Sequence, residues 1–240
     1  SFEYMKKAAD KGFTKALFCC GIMLFKGDGC EANKSEAAEY FKKASDQGNR
    51  KAMAKYAFII DQGDGVEMNK VEAARYYKMS ADRGIPEAML NYAIMLEQGD
   101  GIPIDNEEAS RYLKMAADRF NTKAMFNYGF MLLQKDNKQE AANYLKESAK
   151  KGNVDAMFNY AIMLDQGDGI EVDKIKAASY YQMAADKGND HAMINYGIML
   201  YQGDGIKQDK EKAADYFKMS ADKGNSKGMF NYGYYLLIEK

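Results

Sequence analysis

Gly-Asp-Gly occurs five times, at Gly27-Asp28-Gly29, Gly63-Asp64-Gly65, Gly99-Asp100-Gly101, Gly167-Asp168-Gly169 and Gly203-Asp204-Gly205. Loops of this type can ligate calcium through carboxylates or cradle a phosphate on backbone N–H groups. The flanking residues argue against both. Asp61-Gln62-Gly63-Asp64-Gly65 puts glycine where the helix–loop–helix calcium motif needs its third-position ligand, and the bidentate Glu is not in place. No copy runs on into the Gly-Lys-Ser/Thr of a P-loop. Glycine for loop geometry is the reading that remains. The one histidine, His191, has no cysteine nearby in sequence, which argues against a metal or catalytic role. Cys19, Cys20 and Cys30 are odd in number and show neither a disulfide framework nor a zinc spacing. They point to a reducing compartment, so a cytoplasmic location is expected. The 17 methionines recur at fixed phases, as Met157, Met163 and Met183 do, which suits core and groove wall. No catalytic residue, metal site or cofactor is expected.

What remains is binding chemistry. Asp155, Asn159, Ile162 and Gln166 are separated by four, three and four residues, which places them on one stripe of a helix. Their counterparts form columns: Asn91, Asn127, Asn159, Asn195 and Asn231; Phe58, Ile94, Phe130, Ile162 and Ile198; Gln98, Gln134, Gln166 and Gln202. Asn and Gln each donate and accept, so a ladder of them can clamp the backbone of an extended peptide while the apolar row holds its side chains. The same asparagines can instead brace adjacent repeats. The stripe's first column varies through Lys15, Lys51, Glu87, Lys123, Asp155, His191 and Lys227. It reads either as a specificity edge or as a solvated one.

These columns exist because the chain repeats. Ala156-Met157-Phe158-Asn159-Tyr160-Ala161-Ile162-Met163-Leu164 has counterparts beginning at Ala16, Ala52, Ala88, Ala124, Ala192 and Gly228, mostly 36 residues apart and 32 from Ala124 to Ala156. The four missing residues are those of the Gly-Asp-Gly loop. Each period reads as two helices. The first opens after Gly-Asn, as at Gly152-Asn153 and Gly188-Asn189, with glycine ending one helix and asparagine capping the next. Pro86 falls at a first helical position. The second helix opens at Asn33, Asn69, Asp105, Asn137, Asp173 and Asp209, with Glu36, Glu72, Glu108 and Glu140 completing a capping-box-like pattern. Asn137 is expected to keep this role in the shortened repeat. The Asn33-Lys34-Ser35 glycosylation pattern is better explained by that cap.

Packing columns agree with this reading. Ala-Ala pairs such as Ala37-Ala38 and Ala177-Ala178 mark the second helix, followed by Tyr4, Tyr40, Tyr76, Tyr112, Tyr144, Tyr180 and Tyr216. The first helix holds only small residues at Gly21, Ala57, Ala93, Gly129, Ala161, Gly197 and Gly233. Small residues let helices approach closely, and the tyrosine column is expected to fill the space beyond. Asp-Lys ends of the second helix, such as Asp186-Lys187, are expected to be solvated.

The combined pattern resembles the Sel-1-like repeat, a relative of the tetratricopeptide repeat. The match runs Ala156…Tyr160-Ala161…Leu164…Gly167-Asp168-Gly169-Ile170, then Lys176-Ala177…Tyr180…Ala184-Ala185…Gly188. Leu and Tyr of the first helix have traded places, Tyr stands for the usual Trp, and Phe120 stands where Gly is expected, so a distorted joint is expected there. The resemblance implies an all-α, right-handed α-solenoid of stacked antiparallel helix pairs that serves as adaptor or scaffold. Some secreted members carry a disulfide in each repeat and are linked to β-lactams; that cysteine pairing is missing here.

The expected organisation is one array over 1–240: a partial repeat at 1–12, repeats at 13–48, 49–84, 85–120, 121–152 (shortened), 153–188 and 189–224, and a partial repeat at 225–240. Neither end reads as a polar capping repeat, which suggests further repeats or domains of a longer chain. Lys plus Arg number 34 against 35 Asp plus Glu, with a pI near 6.0, which argues against nucleic acid or an acidic membrane as partner. The longest apolar run, Ala16 to Phe25, is too short to insert in a membrane. The expected function is non-catalytic: a scaffold holding a protein or peptide segment along the concave face of the first helices. The alternatives are a structural component of a large assembly, for instance a cytoskeletal one, that binds through outer faces and ends, and the regulatory arm of an enzyme.

Overall fold

The computed structural model describes residues 2–238, and among these the regular structure is fourteen α-helices. The first helices of the pairs are α2 (Thr14–Lys26), α4 (Arg50–Gln62), α6 (Pro86–Gln98), α8 (Thr122–Gln134), α10 (Val154–Gln166), α12 (Asp190–Gln202) and α14 (Ser226–Ile238). The second helices are α1 (Phe2–Asp10), α3 (Lys34–Asp46), α5 (Lys70–Ala81), α7 (Asn106–Ala117), α9 (Lys138–Lys150), α11 (Lys174–Asp186) and α13 (Lys210–Asp222). The chain divides into two compact units, residues 1–124 and 125–240.

Helix boundaries follow from the caps. Asn49 Oδ1 accepts from the N–H groups of Lys51 and Ala52, both at 3.0 Å, and Asn153 accepts from Ala156 at 2.7 Å. First helices end where a glycine turns left-handed, as at Gly63 (φ 66°) and Gly167 (φ 73°), and the Gly167 N–H bonds back to the Met163 carbonyl at 2.9 Å. Asn33, Asn69, Asp105, Asp173 and Asp209 cap the second helices through their side chains. Asn137 does not. Its side chain accepts no capping bond, and Nδ2 instead donates to Glu140 Oε2 at 2.8 Å. With the loop shortened, Asn137 sits at φ −89°, ψ 65° rather than in the extended region of most other caps, and its oxygen misses the helix N–H groups.

In each unit the alanine pairs are buried and the small column makes the close approach. A Cβ at Gly21 would lie 2.6 Å from the Phe41 ring, and one at Gly197 would lie 2.6 Å from the Phe217 ring. The residue that fills this space is therefore not the tyrosine column but the position after it. The tyrosines have another task. In unit 1 Tyr76 meets Tyr56 and Tyr112 meets Tyr92 edge-on, at centroid distances of 4.8 and 4.9 Å. In unit 2 Tyr144, Tyr180 and Tyr216 meet Tyr128, Tyr160 and Tyr196 in the same way, at 4.9, 5.1 and 4.9 Å. Such pairs contribute about 0.5–1.5 kcal/mol beyond their burial. Asp186 is not merely solvated, because the Tyr216 hydroxyl donates to it at 2.9 Å and ties successive second helices together.

Phe120 departs from expectation in a different way. The joint keeps the bond of its counterparts, Phe120 N–H to the Ala117 carbonyl at 2.8 Å, matching Gly12 to Ala9 at 2.8 Å. The strain falls on the residue, held at φ 61° with its ring 70% exposed.

Candidate partner-binding site

The Gly-Asp-Gly loops do bind something, and it is the neighbouring repeat. Four lysines that open second helices reach the loop aspartate of the next repeat: Lys34–Asp64 at 2.8 Å and Lys70–Asp100 at 3.0 Å in unit 1, Lys138–Asp168 at 2.8 Å and Lys174–Asp204 at 3.0 Å in unit 2. Lys70 and Lys174 also take Asp61 at 2.8 Å and Asp165 at 2.6 Å. In these four loops the second glycine, Gly65, Gly101, Gly169 or Gly205, lies against the same lysine's backbone, so the loop is a clasp between repeats. Sequence reading missed it, although the signal was present: a lysine directly after the cap at 34, 70, 138 and 174. Asn106 breaks this pattern. The carboxylate at the Asp61 position of that repeat, Glu97, pairs with no cation among the described residues, and burial raises it above the usual carboxylate range.

Among the described residues no group of three or more His, Cys, Asp or Glu is arranged to hold a metal ion. Burial pushes the Cys20 thiol up to about 11, so it stays protonated and unreactive at neutral pH. Cys19 and Cys30 are also free thiols. His191 is exposed on the first turn of α12, with its ring 6.0 Å from that of Phe158. Among the described residues no helix is long and apolar enough to cross a membrane.

The stripe of the first helices lies open in both units. In unit 1 Phe58 and Gln98 are exposed, while Asn91 and Ile94 are half-buried. Phe58, Asn91 and Ile94 line one hollow of about 710 Å³. In unit 2 Phe130, Ile198, Gln134, Gln166 and Gln202 are exposed, and Asn127, Asn159, Ile162, Asn195 and Asn231 are half-buried. Asn195, Ile198 and Asn231 line a shallower hollow of about 330 Å³. The asparagines do not all point the same way. Asn159 Nδ2 donates to the Asp155 carbonyl of its own helix at 2.8 Å. Asn91 and Asn195 lie beside the hydroxyls of Tyr77 and Tyr181, where burial drives the phenols upward and the amide opposes the rise. Asn91 makes no hydrogen bond of good geometry there. Tyr77 Oη is, among the described residues, the buried side-chain polar atom left without a partner.

Capped helix pairs clasped into compact units define a helical-repeat protein. The chain belongs to the Sel1 repeat family, whose model matches residues 1–13, 15–49, 50–85, 86–119, 122–153, 154–189 and 190–225. It is similar to the crystal structure of a protective antigen of uropathogenic Escherichia coli with an SLR fold. The likeness has a TM-score of 0.91 and 26% identity over 98% of this chain, which spans only 51% of that one. A Sel1 repeat protein from Oxalobacter formigenes is similar at TM-score 0.79 and 27% identity, over 90% of this chain and 86% of that one. No curated protein matches the sequence. These findings establish the all-α repeat-solenoid class. Sel1 repeat proteins are generally non-catalytic scaffolds for protein–protein interaction.

Proposed function

We propose that this chain is a scaffold that receives a segment of a partner protein along the face of its first helices. The observation that supports it most is the apolar row left open between two polar columns. Phe58, Phe130 and Ile198 are 40%, 43% and 37% exposed at one phase of the repeat. Apolar side chains at a fixed phase beside amide side chains suit a segment that needs both side-chain pockets and backbone hydrogen bonds. The stripe residues of unit 2 give the test. Proximity crosslinking in the source cells compares the chain with a variant carrying Asn127→Ala, Asn159→Ala and Asn195→Ala, after circular dichroism has shown equal helix content. Loss of a discrete partner supports this face as the binding site. Persistence of the same partners refutes it.

A second reading has its own observation. Met68, Ile104 and Val172 expose 58%, 62% and 51% of their surface where the loops enter the second helices, and Ile175 exposes 72%. This row suits a structural component that joins a large assembly by its outer surface. On that reading the asparagine variant is silent, and Ile104→Asp with Val172→Asp abolishes assembly.

A further inference from the structure

One repeat departs from the others at two adjacent positions. The first-helix column that reads Phe18, Leu90, Phe126, Phe158, Ile194 and Phe230 becomes Ala54 in α4. The next column, asparagine in five repeats, becomes Lys55. In unit 2 the large residue covers the tyrosine of the following helix: the rings of Phe158 and Tyr181 have centroids 6.0 Å apart. At Ala54 that ring is missing, and the hollow of about 710 Å³ in unit 1 opens onto Tyr77. Tyr77 itself is only 1% exposed. Tyr77 and Asn91 both line this hollow.

The rim is charged. Lys51 and Lys55 stand one turn apart on α4, Lys123 stands on the first turn of α8, and Glu87 is the only acidic residue on the lining. Among the described residues none of these three lysines forms an ion pair, whereas the clasp lysines Lys34, Lys70, Lys138 and Lys174 all do. The walls below are apolar, built from Phe58, Leu90 and Ile94. An apolar floor under a rim of three lysines and one glutamate is complementary to an acidic chain carrying an apolar side chain.

We infer that the unit 1 hollow takes an extended acidic segment of a partner protein. One apolar side chain of that segment sits over Ala54, and its carboxylates lie against Lys51, Lys55 and Lys123. This rests on the first-helix face being the partner-binding face and adds the partner's chemistry.

The test is a selection of random peptides, about twelve residues long to span two repeats at extended-chain length, displayed and panned against the whole chain. Ala54→Phe restores the residue of the other repeats and closes the hollow; Lys55→Asn restores the common asparagine and keeps the fold testable if the first variant does not fold. The expected pool is rich in Asp and Glu around one Leu, Ile, Met or Phe. A labelled synthetic member should bind about tenfold or more weakly to either variant, and more weakly as salt rises. A neutral or basic pool, an empty pool, or equal binding by both variants overturns the inference. The scaffold reading is judged separately, by the asparagine variant of unit 2. If that variant still loses its partner while the peptide result is negative, only the acidic-segment inference falls.

Discussion

Gly101 is pressed against the backbone of Lys70: a Cβ there would lie 2.5 Å from the Lys70 carbonyl carbon, while Lys70 Nζ reaches Asp100 Oδ2 at 3.0 Å. The same glycine sits at φ 75°, so both space and backbone conformation exclude a side chain. Gly101→Ala is expected to destabilise unit 1 by about 2–4 kcal/mol, combining the left-handed cost with overpacking. Urea denaturation checks this; an unchanged midpoint would contradict the clasp.

Lys70 carries the polar half of the clasp. Its hydrogen bonds to Asp61 and then Asp100 raise its pKa above the ordinary lysine value. A raised lysine contributes stability that is fully present below its unfolded pKa, about 10.4, and is lost as pH rises through the folded one. Lys70→Met is expected to cost about 0.5–1 kcal/mol at neutral pH, since the groups are partly exposed. The gap between wild type and variant should then shrink above about pH 10.4. Thermal midpoints across pH measure it, and a gap that widens in base would refute the assignment.

Asn106 marks the place where the clasp lysine is replaced, and Glu97 is raised by desolvation, with no cation paired to it among the described residues. Such a carboxylate disfavours the fold above its folded pKa and is relieved as pH falls through it. Asn106→Lys should stabilise by roughly 0.5–1 kcal/mol at neutral pH, with the advantage fading in acid. Chemical-shift titration of Glu97 should show its pKa move down in the variant.

Asn153 and Asn137, both at helix starts in unit 2, predict opposite outcomes. Asn153 caps α10 through its side chain and Asn137 caps nothing. Asn153→Ala should cost about 1 kcal/mol, and Asn137→Ala only a fraction of that. Equal losses would mean that the shortened loop retains a working cap.

Periodicity made the helix pairs legible because each cap, glycine stop and buried column is a local requirement that every repeat meets separately. Pro86, the Asn153 cap and the Ala-Ala pairs needed no tertiary information. The errors came where two repeats meet. The tyrosine column and the residue after it differ by one position, and only the packed helices show that Phe41 and Phe217 fill the space over glycine while Tyr76 and Tyr112 meet other tyrosines edge-on. Asp186 looked like a solvated end because its partner, Tyr216, is 30 residues away. Lys70 and Asp100 have the same separation. The stripe was legible as a surface from helical spacing alone, but not the direction of each amide, which depends on whether a buried hydroxyl such as that of Tyr181 lies within reach. Ala54-Lys55 was visible as a break in two columns, and only the hollow gives the break a meaning.

The central claim is that partners are held on the face of the first helices. A photoreactive residue is placed at Ile162, on that face of α10, and in a separate chain at Ile175, on α11. Irradiation in the source cells should join one discrete partner to the Ile162 chain and none to the Ile175 chain. Crosslinking from Ile175 alone would contradict the account and place the interaction on the outer surface.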